Sequence, residues 1–169
     1  LRTMTAIVFI VFFYIVDHFF DIRFKAIHYI FIVIIPVTSL LLSPLYFVYP
    51  NYDKILHLTL PMLVFSIIFY MVSKLKVELK WRLTFSFFIT LGILGIFEIG
   101  EFLLDRISDL RLQGVYIRDV KGLEKLNLIS DPHYDTMTDL SFGVVGSLLY
   151  GIILGFFYGR KLRDDAKRR

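Results

Sequence analysis

Long apolar stretches separated by short polar connections dominate this sequence. Five of them approach the ~20 residues that an α-helix needs to cross a ~30 Å hydrocarbon core. They predict helices at residues 4–20, 24–48, 54–73, 83–104 and 136–158. We therefore expect an all-α fold, a polytopic transmembrane helical bundle that forms a single integral membrane domain over residues 1–169.

The polar connections indicate how these helices are oriented. The connections at 21–23 and 49–53 are short, so the first three helices are predicted to be antiparallel neighbours. Basic residues concentrate in the loop at 74–82 and in the tail after residue 159, and the positive-inside rule places both in the cytoplasm. Two helices separate this loop from the tail, so the two assignments agree on a cytoplasmic C-terminus. The chain begins at Leu1 rather than Met, and we expect that an upstream segment is missing.

Composition supports a multi-pass protein of the cell membrane. The chain is 57% hydrophobic and 17% aromatic, whereas soluble domains are usually ~45–50% apolar. The absence of cysteine excludes disulfides and thiolate metal sites. The net charge of +4 is concentrated in loops and at the C-terminus, which indicates membrane orientation and membrane lipid as a partner rather than nucleic acid.

Three carboxylates interrupt the end of the fourth apolar stretch, where a helix lies in the bilayer or is just leaving it. At 100° per residue, Glu98, Glu101 and Asp105 fall within roughly a 60° arc of one helix face. Ionisable groups at that depth face other protein, water or a cation instead of lipid. This face is the first candidate for a functional site.

The predicted topology brings further polar residues to the same, extracytoplasmic side. Asp53 and His57 lie at i, i+4 on the start of the third helix, and Asp135 and Asp139 lie on the start of the fifth. Asp131 followed by proline is a helix-start signal. The favourable helix dipole explains Asp135 equally well as a structural residue, whereas Asp139 lies one turn deeper.

Together these residues predict a metal site with a general base beside it. One imidazole among several carboxylates suits Mg, Mn, Zn or non-haem Fe, so we predict a divalent metal ion without choosing its identity. The predicted metal ligands are His57, Glu98, Glu101 and Asp139. The predicted catalytic base is Asp53 or Asp135. The alternative is a network of structural salt bridges with Lys54, Arg106 and Arg111.

Residues 106–130 form a long connection that mixes apolar and charged positions. We interpret this segment as a cap over the extracytoplasmic face, because long ordered connections are often functional. Alternation from Arg111 to Asp119 around Gly114 predicts a small hairpin, and residues 122–128 predict a short amphipathic turn.

Small residues recur every four positions along the fifth predicted helix and form a small-residue ridge. The ridge consists of Gly143, Ser147, Gly151 and Gly155. Such a ridge lets another helix approach closely. The approaching helix is either the third or fourth helix of this chain or a helix of a membrane protein partner.

Three short motifs carry a family resemblance. D-K-x-x-H spans 53–57, E-x-x-E spans 98–101, and D-T-x-x-D spans 135–139, with Gly143 and Gly146 after it. Their order and spacing resemble the YjdF-like inner-membrane proteins, relatives of the VanZ-like family. The resemblance implies a small helical membrane protein with polar residues near one face. VanZ-like members are associated with glycopeptide-antibiotic resistance and the cell envelope, but the resemblance supplies no established reaction.

Two functions remain open at this point. The first is a membrane-embedded, metal-dependent enzyme that acts on a lipid or lipid-linked envelope substrate. The alternative is a non-catalytic subunit or stabilising module of a larger membrane protein complex. A cation or proton pathway ranks last, because the predicted polar groups lie at one end of the helices only.

Overall fold

A computed structural model describes residues 2–108, 112–118 and 126–167 of the protein. Within these ranges the helices are α1 (Arg2–Phe20), α2 (Ala26–Pro36), α3 (Tyr52–Ser73), α4 (Leu79–Ser108) and α5 (Pro132–Lys167). Two short strands, β1 (Val115–Arg118) and β2 (Leu126–Ser130), lie between α4 and α5 in the chain. All the helices except α2 are long and apolar enough to cross a membrane. The prediction of an all-α polytopic membrane bundle is confirmed.

The second predicted helix, residues 24–48, is broken rather than continuous. At Pro36, α2 passes into a π-helical turn (Val37–Leu41), and a 3₁₀ helix (Ser43–Phe47) follows. Proline has no N–H to donate to the preceding turn. The Ser39 hydroxyl also donates to a carbonyl of that turn at 2.6 Å, which competes with the regular helical ladder. The continuous helix was wrongly predicted because apolar periodicity does not register these local competitors.

The other helices differ from the prediction mainly at their ends. Compared with the predicted ranges 83–104 and 136–158, α4 (Leu79–Ser108) and α5 (Pro132–Lys167) extend further in both directions. Charged residues occupy these extensions, so apolar length alone underestimates both helices. At 1.5 Å per residue, α4 is about 45 Å long and projects beyond a ~30 Å hydrocarbon core or tilts within it.

The central unit of the bundle is formed by α3, α4 and α5, and the α3–α5 interface is the most extensive. The small-residue ridge of α5 lies inside this unit. A Cβ at Gly143 would lie 2.5 Å from Leu94 of α4, and one at Gly151 would lie 3.3 Å from Phe65 of α3. Ser147 is fully buried. The ridge therefore packs against the third and fourth helices of the same chain, as one of the two predicted options expected, and a membrane protein partner stays a prediction.

The helices give the bundle two chemically different ends. The acidic end is where α3 and α5 begin and α4 terminates, and the basic end is where α3 terminates and α4 begins. Near the basic end, α1 and α2 pack on α3 through a buried apolar cluster of Ile22, Phe24, Ile32 and Ile67. The short connection between α1 and α2 therefore lies at the basic end, whereas the predicted site residues lie at the acidic end.

The described part of the cap lies at the acidic end as two paired strands. β1 and β2 are antiparallel, with Tyr116 opposite Leu128, and β1 packs against the 3₁₀ helix Ser43–Phe47. The predicted hairpin around Gly114 is wrong, because Gly114, at φ +89°, leads into β1, which pairs with β2. In the described part of the predicted turn, residues 126–128 belong to β2 instead. Residues 109–111 and 119–125, which these predictions include in part, lie outside the described residues.

The close approach of α5 to α3 at Gly146 gives a direct test of the packing between these two helices. A Cβ at Gly146 of α5 would lie 2.1 Å from the carbonyl oxygen of Leu58 in α3. Gly146→Ala should therefore push the two helices apart and lower the melting temperature of the detergent-purified protein by about 5–10 °C. The matched control is Gly92→Ala on α4, where a Cβ meets nothing within 4 Å. Equal melting temperatures in the two variants would contradict the α3–α5 packing.

Candidate functional site

Lys54, in the first turn of α3, lies at the centre of the acidic end. Its Nζ is 2.8 Å from Oδ1 of Asp139 and 3.4 Å from Oδ2 of Asp53, and it also donates to Oδ1 of Asp135. The two α5 aspartates lie one turn apart and are only 3% and 2% exposed. Buried carboxylates need partners, so Lys54 ties α3 to α5 through charge-assisted hydrogen bonds.

The arrangement best suited to hold a cation is a group that we call the ligand triad, Asp53, His57 and Asp139. One ligand atom from each side chain lies within 4.8 Å of the others. Nε2 of His57 is 3.5 Å from Oδ1 of Asp53, a separation too long for a strong hydrogen bond. The structure thus brings together two of the predicted metal ligands, His57 and Asp139, and adds Asp53, which was predicted as a base.

Glu98 approaches the ligand triad from α4. Its side chain is buried, and Oε1 lies 3.6 Å from Nδ1 of His57 without a hydrogen-bond partner among the described residues. Each nitrogen of the imidazole therefore faces a carboxylate, but a neutral imidazole carries only one N–H. A buried oxygen without a partner costs free energy. The position of Glu98 points to a proton or a cation as that partner.

Glu101 lies one turn further along α4 and is half-buried. It interacts electrostatically with Glu98, Asp53 and Asp139, and it forms no ion pair with any basic residue in the described ranges. Among the described residues, the acidic end therefore combines Lys54 with a larger set of carboxylates. These are Asp53, Glu98, Glu101, Asp135 and Asp139. Like charges at low dielectric repel strongly, so this excess needs protons or cations.

Two other carboxylates at this end bind the backbone of the cap. Oδ2 of Asp135 accepts a hydrogen bond from the N–H of Gly114 at 2.9 Å. Asp105 accepts two backbone hydrogen bonds from the cap, each at 2.8 Å. Because Lys54 occupies the other oxygen of Asp135, both oxygens of that residue have donors. This geometry favours a structural role for Asp135 over the predicted general base.

One contact between the cap and the site was missed by the sequence reasoning. Nε2 of Gln113 donates to Oγ1 of Thr136 at 3.0 Å, and the Thr136 side chain interacts with the Glu98 carboxyl group. Threonine is the second residue of the D-T-x-x-D motif, so the motif itself held the signal. The cap is thereby connected to the carboxylate that faces His57.

The basic residues predicted as salt-bridge partners of the acids do not all lie beside them. In the described part of the chain, only Lys54 among them pairs with the acids. Arg106 is exposed at the end of α4, and Arg111 lies outside the described residues. The salt-bridge network and the candidate metal site therefore share Asp53 and Asp139 but differ in their other members.

In the described part of the chain, four long apolar helices with buried charges at one end define a polytopic membrane protein. It belongs to the DUF2238 family, described as a predicted membrane protein, whose pattern matches residues 1–161. No curated protein and no solved structure matches the chain. The comparison supports membership of a family of membrane proteins, while the YjdF-like and VanZ-like relationship stays a prediction.

The Lys54 contacts give a stability test of the acidic end. Lys54→Gln leaves the buried aspartates of α5 without their cation, and the loss of one partner of a buried pair costs about 3–5 kcal/mol. The control is Lys80→Gln, because Lys80 pairs with Glu78 at 2.9 Å with side chains 69% and 70% exposed. This exposed pair should contribute less than ~1 kcal/mol. Denaturant unfolding in mixed micelles measures both, and equal losses would contradict the buried network.

Proposed function

We propose that the protein binds a divalent cation at the acidic end and acts there on a lipid or lipid-linked substrate of the cell envelope. The observation that carries the proposal is the ligand triad, whose ligand atoms lie within 4.8 Å of one another. The unpartnered oxygen of Glu98 lies against the same imidazole. An ion held by these residues links α3, α4 and α5.

The proposed ligands are oxygen-rich with one imidazole, a set that suits Mg²⁺, Mn²⁺, Zn²⁺ or Fe²⁺. The ligands are Asp53, His57, Glu98 and Asp139. Both aspartates contact Lys54 through one carboxylate oxygen and keep the second oxygen for the metal. Glu101, which the sequence predicts as a further ligand, has no ion-pair partner among the described residues and lies within electrostatic range of Asp53, Glu98 and Asp139.

The charge balance supports a cation. Within the described ranges, Lys54 supplies the positive charge that pairs with a cluster richer in carboxylates. At low dielectric the remaining negative charge is compensated either by protons or by a metal ion. A divalent ion compensates two charges at once and leaves the hydrogen bonds of Lys54 in place. It also gives Glu98 the partner that it lacks in the described chain.

A substrate with an apolar tail fits the surroundings of the site. Phe97, Ile99 and Phe102 flank Glu98 and Glu101 on α4 and are 49%, 58% and 54% exposed. In a bilayer these side chains contact acyl chains, so an amphiphile can place its polar head at the acids from within the membrane. A divalent cation there polarises a phosphoryl or carbonyl oxygen. We propose that this end faces the extracytoplasmic side of the cell membrane and that the C-terminus is cytoplasmic.

The alternative function is a non-catalytic subunit of a membrane complex. In that case the acids form a structural network around Lys54, which holds α3 and α5 together. The small-residue ridge does not favour this alternative, because α3 and α4 of the same chain cover it. A subunit function therefore requires another docking surface.

The proposed metal site is tested with variants that leave the Lys54 hydrogen bonds intact. His57→Gln and Glu98→Gln remove proposed ligands that do not contact Lys54. We expect about one divalent ion per chain in the purified protein, and loss of most of it in both variants. Elemental mass spectrometry measures the content, and added Mn²⁺ or Zn²⁺ should raise the melting temperature of the unsubstituted protein only.

The control for this experiment is Asp105→Asn, an acid of the same end of α4 that binds the cap backbone. It should keep the metal content of the unsubstituted protein. Absence of metal in the unsubstituted protein, together with no thermal response to added Mn²⁺ or Zn²⁺, would reject the metal site. If Asp105→Asn lost as much metal as His57→Gln and Glu98→Gln, the loss would reflect damage to the fold of the acidic end. It would then not identify His57 and Glu98 as metal ligands.

A further inference from the structure

A groove at the basic end combines an apolar wall with a polar edge. It lies between the end of α1 and the end of α3 and has a volume of about 350 Å³. Its apolar wall is formed by Val16, Phe20, Ile22 and Met71. Its polar edge is formed by Asp21 and Lys74. The groove is on the opposite side of the bundle from the candidate metal site and is not used by the proposed function.

The carboxylate at this edge is already neutralised. Nε of Arg23 donates to Oδ1 of Asp21 at 2.8 Å. This hydrogen bond and the charge of Arg23 hold the pKa of Asp21 below its usual value, with a smaller contribution from Lys74. Asp21 therefore remains ionised and is paired with Arg23 rather than with Lys74.

The cations beside the groove are gathered around one aromatic ring. Nζ of Lys74 lies 4.8 Å and Nζ of Lys25 lies 5.8 Å from the ring centroid of Tyr70. Neither lysine forms an ion pair within the described ranges, and both are exposed. The Tyr70 ring thus brings two ammonium groups to the basic end, and Lys74 is the one that lines the groove.

The walls of the groove are held in place by polar contacts in the short connection between α1 and α2. Asp17 accepts hydrogen bonds from the N–H of Phe24 at 3.1 Å and from the hydroxyl of Tyr29. The hydroxyl of Tyr70 donates to the carbonyl of Arg23 at 2.6 Å. These contacts fix the ends of α1 and α3 relative to each other, so the groove is a built feature of the fold.

We propose that this groove binds an anionic phospholipid, with an acyl chain against the apolar wall and the phosphate at Lys74, and that Lys25, beside the Tyr70 ring, adds positive charge nearby. Charge complementarity selects an anionic headgroup, and the apolar wall at membrane depth selects a lipid over a free phosphate. Lys76 and Arg82 add positive charge at the same end of the bundle. Basic pockets between membrane helices on the cytoplasmic side are known to bind anionic lipid headgroups.

The test compares lipids and lysines in the detergent-purified full chain by native mass spectrometry. Phosphatidylglycerol should remain bound at collision energies that remove phosphatidylcholine. Lys74→Gln should weaken phosphatidylglycerol binding about five-fold, the factor that corresponds to about 1 kcal/mol per lysine near a membrane surface. Lys76→Gln is the matched control, since Lys76 is exposed nearby but does not line the groove, and it should retain the lipid.

A second variant keeps the test decisive if Lys74→Gln affects folding. Met71→Trp fills the apolar wall while leaving both lysines in place, and it should also reduce phosphatidylglycerol binding. Equal retention of phosphatidylglycerol and phosphatidylcholine would overturn the proposal. Equal loss of bound phosphatidylglycerol in Lys74→Gln and Lys76→Gln would also overturn it, because it would indicate diffuse attraction to the basic surface. Equal stabilisation by inorganic phosphate would overturn the lipid as the ligand. A failed metal test at the acidic end leaves this result unaffected.

Discussion

A largely buried lysine in the first turn of a membrane helix needs partners for its charge, and this constraint organises the acidic end. Lys54 bonds to its neighbour Asp53 and to two aspartates of α5. Because lipid offers little hydrophobic drive for helix association, close packing and polar contacts set which helices meet. The Lys54 contacts and the close approach at Gly146 act on the same pair of helices. The register of α3 against α5 follows from both.

The carboxylates of the acidic end differ in how well they are satisfied, and this difference separates structure from chemistry. Asp135 and Asp105 have protein donors and hold the cap. Glu98 is buried against His57 with an unpartnered oxygen. Where a protein departs from the local rules that favour stability, the departure is commonly at a functional site. The part of the cluster that is costly for folding is therefore the part to which we assign cation binding.

Much of the fold and the approximate place of the site follow from sequence, for identifiable reasons. Apolar length predicts the membrane helices because bilayer thickness is fixed, and i, i+4 spacing places Asp53 beside His57 on one face. Antiparallel connections then bring three helix ends together. The break after Pro36 and the cap pairing depend on local hydrogen-bond competition. The central position of Lys54 depends on helix rotation, which apolar patterning does not specify.

The break in the second helix has a consequence for the surrounding bilayer. The apolar helix Ala26–Leu41 rises only about 24 Å at 1.5 Å per residue, less than a ~30 Å hydrocarbon core. Such hydrophobic mismatch is met by local thinning of the bilayer. The remaining stretch, which ends in the 3₁₀ helix Ser43–Phe47, leads to the acidic end. Thinning at that end would draw lipid headgroups inward, toward the buried carboxylates.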